Sequence, residues 1–255
     1  MVLTRAETEM ANRSYLYSLS NRPTSYSDRP ETISGLSEWS YAVPFSYRTL
    51  LSGDPRLCSS LVSDGFRSEP PDRKTRLYAI SSNFDLGYAS LKKFLAIVRA
   101  IAHSSARTRL KKFLAILRAI AGGGAPDLID AIEETQNFLE AHRNRYLLLE
   151  TIELDSMSEQ TEQGLRTSVE RELAACLRTG AAIEALPADV NEAGVRLKAA
   201  ARRSTEAPLD AFYGLVLNDH FDSTRDGETH YPLGLYWSDV LYFALQNREQ
   251  FEANR

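Results

Sequence analysis

The sequence predicts a mainly helical α+β fold: a single helical domain with a small antiparallel sheet joining its N- and C-terminal segments. Three observations carry this. From Leu86 onward, long segments repeat apolar residues with the helical period. The segments with strand character lie near the two ends: Ser14–Leu19 (SYLYSL) alternates at period two, and Ala211–Leu217 (AFYGLVL) is aromatic and β-branched. With 255 residues, 43% hydrophobic and 25% charged, the chain can bury one large core. The expected organisation is a disordered extension over 1–12 and a single domain over 13–255.

The elements follow in order. Asn21–Ser34 is rich in Ser, Pro, Asp and Arg and reads as an exposed loop. Ser40–Leu51 reads as helical after the break at Pro44. Asp54 followed by Pro55 has the form of an N-cap and first helical position, so Asp54–Ser63 is expected to be a short helix. Thr75–Ile80 is a strand or the lead-in to the next helix. Leu86–Ala102 is a helix with Leu91, Phe94, Leu95, Val98 and Ile101 on one face. Gly122–Gly124 and Pro126 precede a long amphipathic helix, Asp127–Leu149. Ser158–Leu177 and Val190–Arg203 are further helices, and Trp237–Asn254 closes the chain as an aromatic-rich one.

Within the helical half, Leu91–Ala102 (LKKFLAIVRAIA) and Leu110–Ala121 (LKKFLAILRAIA) agree at eleven of twelve positions. The copies are 19 residues apart, so one continuous helix would turn the second apolar stripe about 100° from the first. Three readings follow. A recent duplication leaves one copy in the native helix position; or the copies form a helical hairpin; or they form a cationic element at a membrane surface.

The same stretch hides the charge of the rest. The net charge is −4, which gives no pull toward nucleic acid. Between Asp85 and Asp127 there are eight basic residues and no acidic one, leaving 22 basic against 34 acidic elsewhere, a net of −12. Glu133, Glu134, Glu140, Glu150, Glu153, Asp155, Glu159 and Glu162 read as a solvated face whose density also suits docking of a basic protein.

Candidate chemistry is sparse. Cys58 and Cys176 lie far apart, with neither disulfide-framework nor zinc spacing, and fit a reducing cytosol. No Gly-rich phosphate loop, GxSxG or HExxH occurs, so no cofactor is expected. Asn218–Tyr231 (NDHFDSTRDGETHY) gathers Asp219, His220, Asp222, Asp226, Glu228 and His230. The calcium-loop pattern fails at Leu233, where a bidentate Glu is required. A metal-dependent hydrolase using Asp219, His220, Asp222 and His230 stays open as an alternative. No window reaches the length of an apolar membrane span.

Met10–Leu19 (MANRSYLYSL), Glu31–Trp39 (ETISGLSEW) and Leu235–Asn247 (LYWSDVLYFALQN) resemble a bacterial family of cytosolic proteins of unassigned activity, similar to immunity proteins encoded beside toxin effectors, type VI secretion effectors among them. The resemblance implies a non-enzymatic cytoplasmic protein whose partner is a cognate toxin effector, such as a nuclease, rather than nucleic acid or a membrane. The candidate contacts are Glu150, Glu153, Asp155, Glu159, Glu162, Asp219, Asp222, Asp226 and Glu228. The duplicated helix is not a feature the resemblance predicts.

Overall fold

A computed structural model describes residues 12–66, 69–70, 72–104, 128–217, 222–223 and 230–254. Among these residues the chain forms seven α-helices and a five-stranded antiparallel sheet. The strands are β1 (Arg13–Leu19), β2 (Ile33–Ser40), β3 (Arg56–Ser59), β4 (Tyr78–Asn83) and β5 (Tyr146–Glu150), in the order β2-β1-β5-β4-β3. β1 and β5 pair at the centre, with Tyr15 opposite Glu150 and Leu19 opposite Tyr146.

This corrects the expected fold class. The sheet is larger than expected and is built from N-terminal and middle segments; it does not join the two ends of the chain. The reason lies in β5. Tyr146–Leu149 (YLLL) is an unbroken apolar run because both sheet faces are covered, and such a run carries no period that distinguishes strand from helix. The expected helix Asp127–Leu149 therefore stops at Ala141, and its last residues form the strand.

Three other expectations fail for local reasons. Asp54 has φ 68, and the chain leaves it into β3 rather than into a helix. Ala211–Leu217 is interrupted at Gly214, φ 81, after a 3₁₀ turn over Leu209–Phe212 that buries Phe212 against Phe45 and Phe94. Only Arg248–Ala253 of the C-terminal segment is helical. The residues before it form an extended strap. Tyr236 and Phe243 carbonyls accept the hydroxyls of Ser37 and Tyr17 at 2.5 and 2.6 Å, and Ser238 N–H donates to the Leu36 carbonyl at 2.9 Å. These bonds satisfy strap backbone that a helix would otherwise pair internally.

The two sheet faces carry different layers. Leu16, Ile80, Leu147 and Leu149 face the helices, whereas Tyr15, Tyr17, Ala79 and Leu148 face Leu61 and the strap residues Leu241, Phe243 and Leu245. The helical layer contains α1 (Phe45–Leu51), α2 (Phe84–Ser104), α3 (Leu128–Ala141), α5 (Glu162–Glu184) and α6 (Val190–Arg202), with α4 (Ile152–Asp155) following β5 and α7 (Arg248–Ala253) near the end.

The first repeat copy is core. Leu91, Phe94, Leu95, Ile97, Val98 and Ile101 are buried, so its apolar face is not available to a membrane. Its cations also have internal partners. Lys93 Nζ donates to the Ile183 carbonyl at 2.8 Å, capping the end of α5, Lys92 lies 4.4 Å from the Tyr88 ring centre, and Arg99 binds Glu133. No helix among the described residues is long and apolar enough to cross a membrane.

The residues before the copy decide which copy fits. α2 crosses α1 so closely at Gly87 that a Cβ there would sit 1.7 Å from the Leu50 carbonyl oxygen, and Phe84 and Tyr88 are buried beside it. Nineteen residues later the equivalent positions hold His103, Ala106 and Arg107, which this site cannot accept. The second copy, Leu110–Ala121, lies outside the described residues, as does all but Asn12 of the expected extension.

Arg99 binds Glu133 while Tyr88 donates to Glu140 at 3.1 Å, so α2 and α3 run antiparallel with Ala102 close to the start of α3. Deleting residues 103–121 joins Ala102 to Leu128 through GGGAPD, a length that ordinarily connects helical hairpins. The deletion is expected to keep the fold and change stability by only about 1 kcal/mol. Circular dichroism and urea unfolding check this; an unfolded product would show that 103–121 help to hold the core.

Candidate functional site

A polar cleft of about 500 Å³ opens where α1, α4 and α5 meet the chain leaving β2. Each wall has a local cause. Pro44 starts α1 and puts Arg48 in its last turn. β5 ends at Glu150, and Thr151 turns the chain into α4, its carbonyl accepting from Leu154 and Asp155 N–H at 2.9 Å. α5 is capped by Thr161, whose hydroxyl accepts from Gly164 N–H at 3.1 Å. Ser168, Arg171, Ala175 and Arg178 recur every three or four residues, so one stripe of α5 lines the cleft.

The charges in the cleft are not equivalent. Arg48 donates from Nε and Nη2 to Glu172 at 2.6 and 3.0 Å, a bidentate pair that spends both charges. Asp155 accepts the Thr151 hydroxyl at 2.7 Å. Burial holds its carboxyl up at about 6, with the Glu172 charge adding to the rise. Arg171 and Arg178 are exposed, and among the described residues neither side chain makes a hydrogen bond or an ion pair. A larger groove of about 610 Å³ between α2, α3 and α6 is mostly apolar, and its one charged group, Arg99, is tied to Glu133.

A family model described as a domain of unknown function, DUF7822, matches residues 20–200. The chain belongs to this family. The DUF7822 span includes every residue lining the cleft and ends within α6, before the strap. Comparison with curated proteins and with solved structures returns no match.

Within the DUF7822 span the expected acidic contacts separate into different roles. Glu150 cannot be a surface contact, because its side chain is fully buried. Oε1 accepts Leu61 N–H at 2.7 Å and Oε2 accepts the Ser60 hydroxyl at 2.8 Å. Burial pushes its carboxyl up to about 7, against the pull of those bonds and of Arg29. Arg29 is itself buried and packs against the rings of Tyr26 and Phe251, 4.3 and 4.4 Å from their centres, and donates to the Leu61 carbonyl at 2.9 Å. Glu153 clamps α4 to β1, accepting Arg13 N–H at 3.0 Å and the Tyr15 hydroxyl at 2.9 Å. Glu162 accepts the Tyr78 hydroxyl at 2.9 Å and stays exposed, while Glu159 is half-buried. Arg166, Arg171 and Arg178 intersperse these carboxylates, so the α4–α5 surface is mixed rather than acidic.

Beyond the DUF7822 span, Asp222 lies on a two-stranded ribbon, β6 (Asp222–Ser223) with β7 (His230–Tyr231), where it pairs with Tyr231. Asp219, His220, Asp226 and Glu228 lie outside the described residues. Among the described residues no group of three or more His, Cys, Asp or Glu is placed to hold a metal. Both cysteine thiols are pushed far up by burial, which removes the thiolate a nucleophile needs. The arginine stripe of α5 was missed in the sequence, although its seven-residue spacing was there to be read.

Proposed function

We propose that the chain is a non-enzymatic immunity protein that acts in the cytoplasm by binding and neutralising a cognate bacterial toxin effector. The observation that carries this reading is the acidity of α3. It exposes Asp130, Glu133, Glu134 and Glu140 and contains no Lys or Arg in its 14 residues. It sits on a body with 22 basic against 34 acidic residues outside the basic stretch. A field of this sign speeds encounter with a basic partner. A nuclease toxin has the matching sign, because its own surface must attract phosphate. Glu133 and Glu140 are held by Arg99 and Tyr88, so less ordering is left to occur on binding. Glu159, Glu162 and the carboxylates of the 219–228 loop are further candidate contacts.

The test uses the effector encoded beside this chain's gene. Co-expression is expected to restore growth, and the purified pair to form a complex of fixed stoichiometry. Glu134→Lys is expected to slow association about tenfold at low salt and little at high salt. An effector that kills equally with and without this chain overturns the reading. So does association that ignores both salt and Glu134→Lys.

A further inference from the structure

We propose that the cleft between α1, α4 and α5 binds a small organic phosphate, with the phosphate group held by Arg171 and Arg178. The two arginines lie seven residues apart on α5, which puts them on one face and about 10.5 Å apart along the axis. Side chains of this length can reach a single group placed between them. The stripe residue between them is Ala175, and Ala42 and Ser168 also line the cleft with small side chains.

The cleft's other cation is already spent. Arg48 is matched by Glu172 in two hydrogen bonds. Arg171 also faces Asp155, whose carboxyl is fixed by the Thr151 hydroxyl. Arg178 has no carboxylate within ion-pair distance among the described residues. The remaining charge is therefore positive and unsatisfied in a concave site. Guanidinium forks match the geometry of phosphate oxygens, which is why arginine serves in such sites.

The shape and remaining polar groups set the class of ligand. A volume of about 500 Å³ exceeds what a bare phosphate fills and lies within the range of small-molecule sites. Ser158, Ser168 and Asp155 offer hydroxyl and carboxylate partners for the hydroxyls of a sugar-like moiety. Val43 and Leu154 supply apolar contact for its carbon face. No residue of α3 lines the cleft, so this site and the proposed toxin-binding face stand or fall separately.

The test titrates the full chain with ribose 5-phosphate, inorganic phosphate and ribose by calorimetry. Ribose 5-phosphate is expected to bind more tightly than phosphate, and ribose not to bind. Arg171→Ser and Arg178→Ser are each expected to weaken ribose 5-phosphate binding about tenfold or more, the loss expected for a charge-assisted bidentate contact. Both side chains are exposed, so both variants are expected to keep the wild-type circular dichroism spectrum. Asp155→Asn removes a negative charge facing the phosphate and is expected to tighten binding several-fold. Arg202→Ser, on α6 and outside the cleft, is expected to change nothing. Absence of binding to any phosphate probe overturns the proposal. So does binding that survives both arginine substitutions unchanged.

Discussion

Stability of the native chain is expected to fall as pH rises from about 5 to 8, and Glu150→Gln is expected to remove most of that fall. The Glu150 carboxyl has an ordinary value of 4.5 in the unfolded chain and about 7 in the fold, raised chiefly by burial. Between these values the native protein keeps a proton that the unfolded chain has released. The stabilisation is therefore complete below 4.5 and is lost as pH rises through 7. At about 1.4 kcal/mol per pH unit, the separation amounts to about 3 kcal/mol. Asp155, raised from 3.8 to about 6, adds a fall of the same sign at lower pH. Glutamine at 150 still accepts Leu61 N–H, and Arg29 keeps its bond to the Leu61 carbonyl and its two ring contacts. Urea unfolding at pH 5, 6.5 and 8 measures the slope. Equal slopes in wild type and variant would show that Glu150 does not titrate in this range.

Gly87→Ala is expected to destabilise the fold by about 3 kcal/mol or more, although helix propensity alone predicts a gain of about 1 kcal/mol. The added methyl would meet the Leu50 carbonyl at 1.7 Å, and that oxygen belongs to backbone that cannot rotate away. The Gly53 backbone lies against the same turn, its own added Cβ meeting the Gly87 nitrogen at 2.3 Å, so α1 cannot relax toward the β3 side either. Relief requires α2 to lift from α1 and opens the packing around Tyr47, Leu50 and Leu91. Thermal unfolding of the variant checks this. A midpoint at or above that of wild type would mean the crossing is looser than its geometry.

The helices were legible where one face alone is buried. α2, α5 and α6 show apolar spacing that matches their buried residues, because solvent on the other face enforces polarity there. β5 and the strap were not legible, for opposite reasons. Tyr146–Glu150 is covered on both sides and loses its alternation, while Trp237–Asn247 is rich in aromatic and apolar residues yet takes backbone partners from the sheet instead of forming a helix. β2, Ile33–Ser40, carries Gly35 and three serines, and only its pairing with β1 makes it a strand.

The site was legible only in part. The density of Glu153, Asp155, Glu159 and Glu162 is a sequence fact. Which of them point at solvent depends on β5 ending where it does. Glu150 shows the limit most clearly. One strand assignment turns it from a member of a solvated acidic face into the partner of Tyr15 at the centre of the sheet.

The close crossing at Gly87 also bears on how the repeat evolves. Since Phe84, Gly87 and Tyr88 admit only Leu91–Ala102 into the core, the two copies do not back each other up. A lesion at Leu95 is exposed to selection through α2 even while Leu114 is intact. Copies whose preceding residues differ in this way are not held alike by one packing site, so eleven shared positions out of twelve fit a recent duplication.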